Sequence, residues 1–390
     1  MKPHVEQTFN FFPVQTDVHF GCGVLQQLPT HIRGFGTQHA FVVTDPGIKS
    51  AGLLDRVEQL LRNAGLACTI FSAVKPDSGS RLIDTCTAEL KASGAGVVVG
   101  IGGGSSLDTA KAAAALATHP GSCLDYLGLH KLKQRPLPMI AIPTTAGTGS
   151  EVTLWSVFTD ESRDVKVAIG SFLNYPAVAL CDPELTLGLP PALTAATGMD
   201  ALGHAIECYT NKACQPISAA LALPAIAQLG RSLRTAVHQG SDRQARYEVM
   251  LASTMAGIAM NPTRLGLAHA LAMPLGSWDL RIPHGLAVAV TLPAVMEFNH
   301  PAAPERYADV ARALGVDLTG LDPRQAAARS VEAVRSLARE VGIPPGLKAL
   351  GLQESDVDRV VADAIKSGNV TVNPRETTAA QLAQVLRNSL

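Results

Sequence analysis

Aromatic residues are scarce in this chain, at 4% of 390 residues. That is too few for the stacking platforms on which single-stranded nucleic acids are bound. An excess of one charge is missing as well: 32 Lys+Arg stand against 33 Asp+Glu, a net charge of −1, with no basic run. Nucleic acid and anionic membrane surfaces are therefore not expected partners. Long apolar runs are absent, and stretches such as GVVVGIGGG (96–104) are too short to span a bilayer. The N-terminus, MKPHVEQTFNFFPVQTD, lacks the basic and apolar regions of a signal peptide. CxxC is absent among the seven cysteines (Cys22, Cys68, Cys86, Cys123, Cys181, Cys208 and Cys214), and their number is odd. This fits neither a disulfide framework nor a thiolate zinc site, and points to a reducing, cytoplasmic setting. What the chain does have is apolar material, 47% against 17% charged residues, so disorder is excluded.

The length predicts two or three domains. In the first half, β-branched runs alternate with helical stretches. Strands are expected at Ala40–Thr44, Ala67–Phe71, Gly96–Gly100, Met139–Ile142 and Val178–Leu180, and helices at Ile48–Ala64 and Arg81–Ala92. That alternation indicates βαβ units and a parallel sheet. Past residue 185, β-branched runs nearly vanish, and Ala and Leu recur at helical spacing. The expectation is an α/β domain over 1–185 and an all-helical domain over 186–390, with Ser171–Leu180 assignable to either side. No internal repeat or low-complexity tract appears.

Strand 96–100 runs into Gly102, Gly103, Gly104 and Ser105, followed by a helix carrying Asp108 and Lys111. Adjacent glycines let the backbone approach an anion, and the helix N-terminus offers N–H groups and a positive dipole end to a pyrophosphate. It is not the GxGxxG fingerprint, because Ser105 takes the third glycine's place. A tight strand-to-helix turn without a ligand is the plainer alternative. Asp45 ends the first strong strand. A carboxylate there can accept from ribose hydroxyls and favours NAD over NADP, although taken alone an Asp before Pro is more often a turn former. The loop from Pro143 to Glu151, with Thr144, Thr145 and Thr148, is polar and close-approaching. It suits phosphate or nicotinamide contacts, or is a plain Ser/Thr/Gly loop.

In the helical half, Asp200 and His204 stand at i and i+4, on one helix face. His269 and His284 follow in GLAHALAMPLG and RIPHG. One carboxylate and three imidazoles suit Fe²⁺, Zn²⁺, Mn²⁺ or Ni²⁺ rather than Ca²⁺ or Mg²⁺. Each lone histidine is also readable as a satisfied core or surface residue. An Asp and a His in register on an apolar helix, however, are costly to bury without a partner.

GGGSSLDTAK (102–111), PTTAGTGSEVT (143–153), LPPALTAATGMDALGHAIE (189–207) and GLAHALAMPLG…IPHG (266–285) resemble the iron-containing, group III metal-dependent alcohol dehydrogenases. The likeness extends to VHFGCGVL (18–25) and DAIKSGNVTVNPR (363–375). It implies a Rossmann-like dinucleotide domain and a helical metal domain of the dehydroquinate synthase-like type. It further implies a homodimer or larger assembly, and reversible NAD(H)-linked hydride transfer to a small carbonyl activated by one divalent metal, Fe²⁺ or else Zn²⁺. The implied metal ligands are Asp200, His204, His269 and His284. The implied cofactor residues are Asp45, Gly102, Gly103, Gly104, Ser105, Asp108, Thr144, Thr145, Thr148 and Lys166, with Asp77 where members often carry Asn.

One departure concerns the third ligand. Members often read HxxxH there, with the second His suggested as a proton relay near the nicotinamide. Here the corresponding residue is Met273, whose thioether carries no proton. The stretch from His269 to His284 is also one residue longer than that resemblance suggests. The expectation is a reshaped substrate site, with proton exit through water, a ribose hydroxyl or Asp279. Arg264 and Arg281 flank the region and leave a second reading open. The substrate would then be an anionic oxo-acid (maleylacetate-like) or a phosphonate or sulfonate aldehyde. Metal-dependent sugar-phosphate synthases that use NAD transiently share the implied architecture but would need a basic cluster that is not seen around the metal motif. A non-catalytic metal- and dinucleotide-binding protein is a further alternative.

Overall fold

The computed structural model describes Phe9 and residues 14–390. The signal-peptide reading concerns mainly residues outside that set. The chain divides into two compact units, Val14–Gly188 and Leu189–Leu390.

The first unit runs β1 (Asp17–Phe20), α1 (Leu28–Gly34), β2 (His39–Val43), α2 (Pro46–Ser50), α3 (Leu53–Asn63), β3 (Ala67–Phe71), α4 (Ser80–Ser93), β4 (Val97–Gly102) and α5 (Gly104–Ala117). It continues through β5 (Gly128–Leu129), β6 (Met139–Pro143), β7 (Trp155–Asp160), β8 (Val165–Gly170) and β9 (Val178–Cys181). Six strands form one parallel sheet in the order β1-β9-β6-β4-β2-β3. Every residue of β4 is buried. Val97, Val99 and Ile101 enter a core with Leu54, Val57 and Leu61, while Val98 joins a different one with Leu107, Ala110 and Ala113. Two covered faces explain why this strand reads as a continuous aliphatic run.

Two features differ from the sequence expectations, and a third settles a point that the sequence leaves open. The helix expected over 48–64 is two helices, because Gly52 takes a left-handed φ of 72° and breaks the run. A second sheet, β5-β8-β7, contains an antiparallel β7–β8 hairpin that the sequence reading did not find. The stretch 171–180 belongs to the first unit, where β9 pairs with β1 and β6.

The second unit runs α6 (Pro191–Thr210), α7 (Pro216–His238), α8 (Arg243–Thr263), α9 (Leu267–Leu275), α10 (His284–Asn299), α11 (Pro304–Ala313), α12 (Pro323–Glu340), α13 (Val357–Ala364), α14 (Gly368–Val372) and α15 (Ala379–Arg387). Four of these begin with proline (Pro191, Pro216, Pro304, Pro323), whose fixed φ suits the first helical position. Small residues on α6 let its neighbours close in. A side chain at Gly203 would come 2.7 Å from Val288, and one at Gly285 would meet the Ala196 carbonyl at 2.6 Å. Buried Arg246 of α8 holds the start of α6 by donating to Thr194 Oγ1 (2.7 Å) and the Leu189 carbonyl (3.1 Å).

Candidate active site

In the first unit, the connections run outward from β2 to β3, and the other way from β4 to β6 and β9. The switch point between β2 and β4 is where ligands bind in open α/β sheets, outside the strand carboxyl ends. The glycine turn lies there. Gly102 pairs with Pro143 across β4 and β6, and Thr144 N donates to the Gly102 carbonyl at 3.0 Å, so the turn and the 143–151 loop leave the sheet together. Gly102 has a φ of 146°, and a Cβ there would lie 2.6 Å from Ser106 Oγ and 3.0 Å from Asp45 Oδ2. Only glycine fits. Gly103 precedes α5 without a side-chain cap, and no carboxylate stands in that helix's first turn. The end of a fourteen-residue helix is thus left open to an anion.

The other expected cofactor residues surround this turn. Thr145 lies against Gly103 and Thr148 against Gly104. Asp45 caps α2 through Gly47 N (2.9 Å) and Ile48 N (3.1 Å), and its second oxygen accepts from Ser106 Oγ at 2.9 Å. It is therefore a turn former that also stands at the glycine turn. Asp77 adopts a left-handed φ of 54°, a region Asn and Asp tolerate, which accounts for either residue type there. Its N–H donates to Ser105 Oγ (3.2 Å), and its carboxylate pairs with half-buried Lys166. Asp108 faces inward to Ser150 Oγ (2.5 Å), Val157 N (3.0 Å) and Lys111 Nζ (3.1 Å). Buried Lys111 also donates to the Ser150 carbonyl at 2.9 Å and to that of Trp155. The pair ties the 143–155 loop to α5, a role the sequence reading did not assign.

In the second unit, α6 presents Asp200, His204 and Glu207 at i, i+4 and i+7. His269 comes from α9, and His284 is the first residue of α10. Asp200, His269 and His284 offer ligand atoms that all lie within 4.8 Å of one another. From Asp200 Oδ1, the Nε2 atoms of His269, His284 and His204 stand at 3.4, 3.7 and 4.0 Å. The His204 ring stacks on that of His269 with centroids 4.5 Å apart, so it sits just outside the tightest group. Four ligands about 2.1 Å from a tetrahedral centre would stand about 3.4 Å apart. Asp200 Oδ1 and His269 Nε2 are buried and have no hydrogen-bond partner. Once His269 Nε2 gives up its proton, two buried acceptors face each other at 3.4 Å, which calls for a cation between them, so the residues present fit a metal ion.

Charge is focused at this spot. Burial opposes the Asp200 carboxylate, but the surrounding imidazoles of His204, His284 and His269 hold its carboxyl well below the usual range. Burial likewise opposes protonation of His269. The carboxylates of Glu207 and Asp200 override it and raise the imidazole to about 9. Glu207 is the residue the sequence reading passed over. Its Oε2 accepts from His269 Nδ1 (2.6 Å) and Gly266 N (2.8 Å), and its Oε1 accepts from Ala268 N (2.7 Å). Its spacing from Asp200 and His204 puts it on their helix face, but does not by itself tell it from a solvated glutamate.

Met273 follows His269 by one turn of α9 and is half-buried. Asp279 is exposed and pairs with Arg359 at 3.0 Å, which holds its carboxyl below the ordinary range. Arg281 is exposed, with a left-handed φ of 47°. Arg264, also exposed, ends α8 with a φ of 59°, and its guanidinium lies against Gly368.

Known proteins match both units. The model of the family described as "Iron-containing alcohol dehydrogenase" matches residues 15–183. That of the "Fe-containing alcohol dehydrogenase family, C-terminal" matches 194–390. A 1,3-propanediol dehydrogenase of Klebsiella pneumoniae is 39% identical over 373 residues, covering 95% of this chain and 96% of that protein. A choline dehydrogenase of Bacillus subtilis (strain 168) is 38% identical over 379 residues, covering 96% and 94% respectively. A crystal structure of a 1,3-propanediol oxidoreductase superposes with a TM-score of 0.95 at 38% identity, over 98% of this chain and 100% of that one.

Proposed function

Because this chain belongs to the iron-containing alcohol dehydrogenase family, NAD-linked oxidoreductases acting on CH–OH groups, we propose that it interconverts a small neutral alcohol and its aldehyde or ketone. The observation that carries this reading is the buried, unpartnered pair of Asp200 Oδ1 and His269 Nε2. Asp200, His204, His269 and His284 would hold one divalent metal, Fe²⁺ in this family, with a donor set that also suits Zn²⁺. When bound, the metal supplies Lewis-acid charge to the substrate oxygen and the dinucleotide supplies the hydride.

The chain's own residues do the rest. Val14–Gly188 serves as the dinucleotide domain and Leu189–Leu390 as the metal and substrate domain. The turn Gly102–Ser105 and the start of α5 take the pyrophosphate. Asp45 faces ribose hydroxyls, with its Ser106 bond fixing the carboxylate, and Thr144, Thr145, Thr148, Asp77 and Lys166 line the cofactor. Asp108 supports that lining from behind. The apolar residues of α6 and α9 around His204 and His269 keep water from the ligands. Met273 holds no proton, so exchange with solvent passes through water or a ribose hydroxyl. Asp279, exposed and held charged by Arg359, is the least suited of the groups considered. The same exposure of Arg264 and Arg281 disfavours the anionic-substrate reading.

The deciding experiment is NADH oxidation by metal-reconstituted protein, with neutral and anionic aldehydes side by side. Preference for short neutral aldehydes is expected. Preference for the anionic set would return Arg264 and Arg281 to substrate binding and overturn the proposed substrate class. The seven cysteines, all free, support a reducing cytoplasmic location. A homodimer or larger assembly rests on the family resemblance, and sedimentation of the full chain will test it.

A further inference from the structure

We propose that Glu207 is the positioning residue that readies His269 for metal, fixing both the imidazole tautomer and the helix end that carries it. The proposal rests on the reading of Asp200, His204, His269 and His284 as metal ligands.

Glu207 is 4% exposed and lies on the same face of α6 as Asp200 and His204. It reaches across to α9, a helix that has no side-chain cap of its own. There it takes the N–H groups of Gly266 and Ala268, the first at the N-cap and the second in the first turn, at 2.8 and 2.7 Å. The same carboxylate receives Nδ1 of His269 at 2.6 Å. Gly266 makes that approach possible, since a Cβ there would stand 2.7 Å from Glu207 Oε1.

A carboxylate only accepts, so the hydrogen of the neutral imidazole must sit on Nδ1. Nε2, once its proton has left, offers its lone pair to the metal from a place 3.4 Å from Asp200 Oδ1. One side chain thus decides which nitrogen is offered and where it stands. Glutamine has the same shape but cannot replace it. Its amide NH₂ would face either the Ala268 N–H or the shared Gly266 N–H and His269 Nδ1–H, and a donor would meet a donor in both settings.

The test compares wild type, Glu207→Gln and His269→Ala as full-length proteins. Zn²⁺ affinity is read by competition with a chromophoric chelator, the visible spectrum after Co²⁺ loading, and folding by melting of the metal-free proteins. Expected for Glu207→Gln are a Zn²⁺ affinity about 10–100-fold below wild type and a Co²⁺ spectrum shifted toward that of His269→Ala. A purely structural role would lower the melting temperature and leave the spectrum of the metal-loaded protein like wild type. Zn²⁺ affinity within threefold of wild type, or a wild-type Co²⁺ spectrum at any affinity, overturns the proposal while leaving the ligand reading standing. Equal metal loading by wild type and His269→Ala overturns the ligand reading, and the proposal falls with it. If Glu207→Gln does not fold, Glu207→Asp takes its place. It keeps the acceptor but shortens its reach, so weakened Zn²⁺ binding is expected and unchanged binding overturns the proposal.

Discussion

The guanidinium of Arg359 lies over the ring of Trp278, 4.5 Å from its centroid. The same group donates to Asp279 at 3.0 Å and to Asp356 at 3.3 Å. Trp278 and Arg281 both take left-handed backbone, φ 54° and 47°, which is unfavourable for side chains of that size. The loop they belong to joins α9, which bears His269, to α10, which begins with His284. A single arginine of α13 thus holds a strained connection between two expected metal ligands. Arg359→Ala is expected to change global stability by about 1 kcal/mol or less, since its contacts are partly solvated. It should speed proteolytic cleavage within residues 276–283 several-fold. An unchanged cleavage rate would show that the loop holds itself.

Lys111 is expected to contribute more to stability than any exposed ion pair. Its side chain is 1% exposed, and it neutralises Asp108 while donating to the 150–155 backbone. Lys111→Met leaves the Asp108 carboxylate without its cation and should cost about 3–5 kcal/mol in urea unfolding. Adding Asp108→Asn should recover part of that loss. A single-variant cost under about 1 kcal/mol would mean that water reaches Asp108 and replaces the ammonium.

Gly102→Ala separates the two expected sites. The new methyl would crowd Ser106 and Asp45 at a φ that alanine rarely adopts. NADH binding, followed by nicotinamide fluorescence, should weaken at least tenfold, while Zn²⁺ stoichiometry stays at the wild-type value. Wild-type NADH affinity would remove the glycine turn from the cofactor site.

Much of this organisation was legible in the chain because burial writes itself into composition. β4 and β6 are covered on both faces and read as aliphatic runs, and Asp200 with His204 stands out because charge at i and i+4 is rare on an Ala-rich helix. Donor chemistry alone grouped that pair with His269 and His284, and the resemblance named the four as ligands; spacing could not, since 65 positions separate His204 from His269. Glu207 stayed hidden for a physical reason. A glutamate near a helix end usually faces solvent, and only α9 folding back onto α6 gives this one its three donors. The β7–β8 hairpin was missed because its turn, Glu161-Ser162-Arg163-Asp164, lacks the Asn-Gly or Asp-Gly signature. Asp160 takes over that task by accepting from Ser162 N at 2.9 Å. Gly52 lies inside the single helix expected over 48–64, whereas its positive φ ends α2.

Metal uptake should be coupled to protons, with a sign fixed by His269. In the metal-free protein this imidazole is raised to about 9, chiefly by Glu207 and Asp200 acting against burial. At neutral pH its Nε2 therefore carries a proton where the metal would stand, and that proton must leave for the ion to bind. The apparent Zn²⁺ affinity should rise by about tenfold per pH unit between pH 6.5 and 9 and flatten above it. Stability of the metal-free protein should run the other way. A group whose folded value lies above its unfolded one of 6.5 stabilises the fold fully below pH 6.5, and that contribution is lost as pH rises through about 9. Melting of metal-free protein should thus occur at lower temperature at pH 9.5 than at pH 6.5, and the metal-loaded protein should show a smaller difference. Chelator competition and calorimetry over that range will check both. A Zn²⁺ affinity independent of pH would mean that His269 is already neutral when the metal arrives, and that Glu207 takes up less charge from it than the 2.6 Å contact implies.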